Sequence, residues 1–289
     1  MVDPSATQMA DPNVTQETDP SLTPMAETDL DMKQVADANV SPVEDPTVSK
    51  MADHGVTQMG DTVPDPANRK PTVHILVISD VVCPWCWIAK RSLEEAMVSL
   101  IDKFNFNVQY SPFLLRPKCP PEGVPNEAFN NEEDPRNQHL SAVCREFDLD
   151  LTFSCPIVPY SVPALTLRQY VRESDYPNVV QSQVAEKLYQ AHFSHGQKLD
   201  QDDLLQVAKE LMLDVDEVRA YLEDPENTRR VIDQAQAWRE RGVQAVPFFY
   251  MNGKAVCSGA QDTKNFIQTI LKVAEMYPAE NMGDAGDLL

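Results

Sequence analysis

From Thr72 to Asp80 the chain runs TVHILVISD, apolar, β-branched and short, and two valines later it enters CPWCWIAK. The first part reads as a buried strand and the second opens a helix. Cys83 and Cys86 therefore share the first turn of a helix that leaves a strand directly. Downstream, CWIAKRSLEEAMVSLIDKF puts Ile88, Leu93, Met97, Leu100 and Ile101 at helical spacing, with Glu94 and Glu95 on the outer side. FNVQYSPFLLRP then reads as a second strand ended by Pro117. A strand–helix–strand unit of this kind favours a sheet covered by helices, an α/β class of fold.

The middle of the chain, residues 125–241, reads as helical. NVVQSQVAEKLYQAHFSHG repeats apolar residues at Val180, Val184 and Leu188 and stops at Gly196. Asp200 is the expected N-cap of the next helix. Asp224 is expected to cap the one after it, with Pro225 in its first turn and Gly242 as its stop. Strand character returns at QAVPFFYMNGKAVCSG, where Asn252–Gly253 between apolar runs predicts a two-residue hairpin. Ser258–Gln261, SGAQ, fits a capping box ahead of a last helix from Thr263 to about Met276. Pro247, inside the first hairpin strand, is out of place, because proline cannot donate to a ladder.

Composition separates the first 70 residues from the rest. All 21 aromatic residues (10 Phe, 3 Trp, 8 Tyr) lie beyond position 70. The segment holds 13 acidic and 4 basic residues, net −9, leaving −12 of the total −21 for residues 71–289. Variants of one octad recur there, ATQMADPN, VTQETDPS, VSPVEDPT and VSKMADHG. A charged stretch with so little to bury does not offset the entropy of ordering it, so it is expected to be a disordered acidic spacer. The N-terminus has neither the basic, apolar pattern of a secretory signal nor the basic character of a mitochondrial one. No run approaches the ~18 apolar residues of a membrane span. The expectation is a cytoplasmic protein without a membrane anchor, and an acidic pI of about 4.5 disfavours nucleic acid as a partner.

Three uses compete for the C-x-x-C pair. Zinc needs two more ligands, but Cys119, Cys144, Cys155 and Cys257 are scattered singly, and His192 and His195 are the only close histidine pair. No metal site is expected. A structural disulfide closing so short a loop restricts the unfolded chain little, and a reducing compartment disfavours it. A redox pair suits the position. The unpaired N–H groups at a helix start favour an anion, so Cys83 is expected to be the accessible thiol with a lowered pKa, and Cys86 the shielded one. Trp85 is expected to be exposed beside the pair as an apolar contact for substrate, and Trp87 to pack in the core. Cys257 reads as a small buried residue and Cys119 as an exposed thiol that nothing activates.

SDVVCPWCWIAKRSLE together with GVQAVPFFYMNGKAVCSGAQ resembles the DsbA-like thioredoxin family, in particular its FrnE-like branch of dithiol–disulfide oxidoreductases. YSPFLLRP and LYQAHFSHGQKL are similar to the branch's second strand and helical insert, so the resemblance runs from about Val73 to Val273. It implies an α/β, thioredoxin-like fold with a large helical insertion, preceded by the disordered acidic tail of residues 1–70. The DsbA-like thioredoxin domain is then 71–289, with 71–117 and 243–276 as thioredoxin core and 125–241 as insertion. It further implies Cys83 as nucleophile, Cys86 as resolving cysteine and Pro247 as a cis-proline facing them. Pro84, Trp85, Val246 and Pro247 become the substrate-binding residues. No cofactor beyond the redox-active disulfide is implied, with glutathione as a candidate co-substrate. Protein or small-molecule thiols and disulfides are the implied partners.

One region departs from the branch. Where it has Asn-Thr followed by His-Arg, this chain has YSVPALTLRQY, keeping only Arg168, with Leu167 in the histidine's place. Arg168 is expected to be a solvated or capping charge. Two other functions stay open: a glutathione-dependent isomerase or transferase of the kappa type, which usually carries serine at the site, and a redox-inactive binding module, which has no chemical need of Cys83, Cys86 and Pro247.

Overall fold

The computed structural model describes residues 70–279 apart from 128 and 132. The acidic repeats expected to be disordered lie outside the described residues. Strand β1 (Thr72–Ser79) pairs on both sides, parallel with β2 (Asn105–Pro112) and antiparallel with β5 (Phe248–Met251), which in turn pairs with β6 (Lys254–Ser258). The order is β2-β1-β5-β6. A strand with neighbours on both edges and layers on both faces has no solvent side, which is why its apolar run barely alternates.

Helix α1 (Pro84–Ser99) connects β1 to β2, and the last helix, α8 (Thr263–Met276), packs beside it. Between β2 and β5 stand a short ladder, β3 (Val124–Pro125) with β4 (Ile157–Val158), and six helices: α2 (Pro135–Glu146), α3 (Val162–Glu173), α4 (Asn178–Tyr189), α5 (Gln201–Glu210), α6 (Val215–Glu223) and α7 (Pro225–Glu240). Helices α3, α4 and α7 pack onto β2. This is the mixed α/β, thioredoxin-like architecture expected.

Local signals set many of the boundaries. Asp200 caps α5 with a full capping box, and Asp224 accepts from Glu226 N–H ahead of Pro225 in α7. Helix α4 runs into a π-helical turn, Gln190–Ser194, before Gly196 at φ +66°, where an added Cβ would meet Ser154 Oγ at 2.5 Å. Asn252 (φ +45°) and Gly253 (φ +73°) form the two-residue turn of the β5–β6 hairpin. Asn252 also binds outward: its Oδ1 accepts from His74 N–H (2.9 Å) and its Nδ2 donates to Tyr277 O (2.8 Å).

Several expectations are corrected. β2 ends at Pro112 and not at Pro117. α1 stops at Ser99, so Ile101 lies beyond it and is exposed. Glu94 is half-buried because Lys90 and Ser182 donate to it. The cap of α8 is Asp262, which accepts from Asn265 N–H, and not the SGAQ segment. Pro247 precedes β5, so no ladder bond is asked of it.

Candidate active site

The chain turns from β1 into α1 through Asp80–Val82, where Cys83 N–H donates to Asp80 O (3.2 Å). Cys83 is the N-cap of α1 in extended conformation, and Pro84 fills the first helical position, where a missing N–H costs nothing. Cys86 N–H donates back to Cys83 O (3.0 Å), which holds the two cysteines within one turn, where their side chains are in hydrogen-bond contact.

The other wall comes from the segment before β5. The Val246–Pro247 bond is cis, and Cys83 Sγ donates to Val246 O at 3.6 Å across 163 residues of sequence. Gly259 N–H donates to Pro247 O (2.7 Å) from the far side, tying this segment to the end of β6. The fold thus brings Cys83, Pro84, Cys86, Val246 and Pro247 together.

Two of the predicted site residues sit differently from expectation. Cys83 is only 4% exposed, scarcely more than Cys86 at 2%, because its thiol faces the Val246 carbonyl inside the core. Trp85 is half-buried and not exposed, since His139 of α2 lies against its ring (centroids 5.9 Å, 41° between planes). Trp87 is in the core as expected, stacked near Tyr189 and Phe193, with its indole N–H donating to Glu186.

Cys86 is pushed well above the usual thiol pKa, chiefly by burial and then by its hydrogen bond with Cys83, so it keeps its proton at neutral pH.

Beneath the pair lie groups that sequence reasoning missed or misplaced. Asp80 is fully buried; Leu115 N–H (2.8 Å) and Val82 N–H (3.4 Å) donate to its carboxylate. Burial raises its pKa, opposed by those bonds, by a Ser161 hydroxyl and by the charge of Arg168. Tyr189 OH donates to Asp80 O at 3.5 Å. Arg168, expected to be solvated, is 2% exposed: α3 carries it across β1 and β2, where it donates to Ser79 Oγ (2.8 Å), Ser79 O (3.1 Å) and Ser111 O (3.1 Å). The only sequence signal was position, an acidic residue ending the central strand and an arginine following the apolar run Val162–Leu167 at the start of α3.

The remaining cysteines stay apart from the site chemistry. Burial pushes the thiols of Cys144 and Cys257 up to about 12, Cys257 being half-buried and not fully so. Cys119 is also half-buried and raised by burial. Among the described residues no group of His, Cys, Asp and Glu is arranged to hold a metal.

Residues 74–271 match the DSBA-like thioredoxin domain. A Bacillus subtilis (strain 168) relative, uncharacterized protein YwbO, is 30% identical over 69% of this chain and 96% of its own length. Among solved structures, the probable DsbA oxidoreductase SCO1869 from Streptomyces coelicolor superposes with a TM-score of 0.62 at 21% identity, covering 74% of this chain and 94% of that one. The cytosolic disulfide reductase DsbM from Pseudomonas aeruginosa, solved with GSH, gives 0.50 at 13% identity, covering 71% and 100%. At these identities the solved structures speak for the fold alone.

Proposed function

The chain belongs to the DsbA-like thioredoxin domain family, and on that premise we propose that it is a thiol–disulfide oxidoreductase exchanging a Cys83–Cys86 disulfide with protein or small-molecule thiols. The observation that carries this is the contact of Cys83 Sγ with Val246 O, which sets a helix-start thiol against a main-chain carbonyl beside its partner cysteine. A buried dithiol in a structural role has no use for that arrangement.

In the oxidising direction a substrate thiolate attacks Cys83 Sγ, the Cys83–Cys86 bond breaks, and Cys86 leaves and takes up a proton. A second substrate thiolate then attacks the sulfur of the first, releasing Cys83. Two electrons pass from two substrate thiols to the enzyme disulfide. Run in reverse, the same steps reduce a substrate disulfide. Burial of Cys86 keeps it protonated and so leaves the first attack to Cys83. In the reducing direction Cys86 gives up its proton as it attacks Cys83 Sγ and releases the substrate thiolate, which takes a proton up. Pro84 and Trp85 form the rim on the α1 side, and Val246 offers its main chain to a bound peptide with Pro247 beside it. Glutathione is a suitable small thiol for the same site, in line with the GSH-bound P. aeruginosa neighbour. None of the described helices is long and apolar enough to cross a membrane, and a cytoplasmic setting fits exchange with a reducing thiol pool.

Alkylation followed by mass measurement, before and after reduction, tests the pair directly. The expected result is one reducible bond joining Cys83 and Cys86. Cys86→Ser is expected to accumulate a mixed disulfide through Cys83, and Cys83→Ser to lose exchange altogether. Loss of exchange in Cys86→Ser without any trapped adduct overturns the assignment of roles.

A further inference from the structure

Arg168 is a guanidinium taken out of water at a cost of several kcal/mol. Its three hydrogen bonds all go to uncharged oxygens, on Ser79 and Ser111. The ring of Tyr110 lies 5.4 Å from it and adds a modest cation–π attraction. Hydrogen bonds to neutral groups orient a buried cation but do not neutralise it. The ionisable groups around it are Asp80 at the end of β1, Tyr110 on β2, Tyr189 on α4 and Cys86 on α1, with the cation of Arg172 one turn on along α3. Both tyrosines are held neutral by burial. That leaves Asp80 and, since Cys86 keeps its proton and hydrogen-bonds to Cys83, a dithiol charge that sits on Cys83. The placement is specific: Arg168 anchors on Ser79, the residue before Asp80, while Asp80 O receives the N–H of Cys83.

We propose that Arg168 is a positioning residue for the redox pair: its buried positive charge, delivered from the helical insertion, stabilises the thiolate of the reduced dithiol and so makes the Cys83–Cys86 disulfide easier to reduce. The inference rests on the redox role of the two cysteines. Reduction by glutathione consumes two GSH and yields GSSG and the enzyme dithiol, which sheds one proton where the pair holds a thiolate. Anything that stabilises the thiolate therefore draws the equilibrium toward the reduced protein.

The test is the equilibrium constant with GSH and GSSG at pH 7, read by alkylation and mass, together with the thiolate absorbance of the reduced full chain against pH. Arg168→Gln keeps hydrogen-bonding capacity toward Ser79 but removes the charge. It is expected to shift the equilibrium toward the disulfide by about tenfold, near 30 mV for a two-electron couple, and to move the thiolate titration to higher pH. Arg168→Lys keeps the charge while disturbing the same hydrogen bonds, and is expected to stay within about threefold of the parent equilibrium, well under the 1.4 kcal/mol of a tenfold change. A merely structural Arg168 reverses this pattern: both variants lose stability while the equilibrium and the titration of the folded protein stay put, which overturns the proposal. If Arg168→Gln does not fold, Arg168→Lys decides alone, and a tenfold shift in that variant overturns it. A parent protein that forms no Cys83–Cys86 disulfide at all refutes the proposed function, a separate outcome from parent-like equilibria in Arg168→Gln.

Discussion

His192 lies in the π-helical turn after α4, 3% exposed, against Phe193 and with Nδ1 facing Gln197 O at 3.2 Å. Burial lowers its pKa from 6.5 to about 4, with Gln197 O opposing the shift. The fold therefore accepts the neutral ring and resists the charged one. The unfolded chain takes up the proton near pH 6.5, so stability is intact above that pH and is lost as pH falls from there toward 4. The full loss is about 3 kcal/mol, of which about 2 kcal/mol has gone by pH 5. Urea unfolding at pH 7 and pH 5 is expected to show that the parent loses about 2 kcal/mol more than His192→Gln over this interval. Equal losses in the two proteins rule out His192 as the source. Arg168 and Lys90 show the converse case at this scale, cations that are buried and stay charged because polar or acidic partners meet them.

At the scale of elements, the junction between α1 and α4 is built on one carboxylate. Glu186 of α4 accepts from Lys90 (3.0 Å), Arg91 (2.8 Å) and the indole N–H of Trp87, and from Gln190 one turn on along the chain. The Lys90 side chain is 4% exposed, and its other carboxylate partner is Glu94 at 2.7 Å. These charges pull the Glu186 pKa below its ordinary value in spite of burial, which acts the other way. Removing one member of such a cluster strands the rest away from water. Glu186→Gln is expected to lower the free energy of unfolding by about 2–3 kcal/mol, less than a wholly buried pair because Arg91 reaches solvent and Glu94 remains. Glu226→Gln, which breaks an exposed pair with Arg229, is expected to make no measurable difference. Parent-like stability in Glu186→Gln removes the ionic account of this junction and leaves Trp87 packing to explain it.

For the molecule as a whole, charge and aromatic content divide the chain near position 70. The first 70 residues contribute −9 of the −21 and no aromatic ring, whereas residues 74–271 carry the family match. A chain beginning at Asn68 is expected to melt within about 2 °C of the full-length protein, a change below about 1 kcal/mol, and to exchange with a small disulfide at the same rate. A drop of many degrees shows that the acidic repeats support the domain.

What could be read directly from the residue order is what depends on near neighbours along the chain. The two cysteines at the start of α1, the Asn252–Gly253 turn and the Asp224–Pro225 start of α7 involve groups only a few positions apart, so the chemistry of each residue settles them. The strand–helix–strand start and the late hairpin followed the same rule through their apolar spacing. Solvation of charge did not. Arg168 reads as a surface residue by type, yet its partner Ser79 is 89 positions away, and Lys90 meets Glu186 across 96. The shielding of Cys83 likewise comes from Val246, 163 residues on. Whether an ionisable group faces water or a partner is a balance of desolvation against contacts that exist only once distant elements pack. Spacing along the chain could place the two cysteines, but only the assembled fold could set a buried cation beneath them.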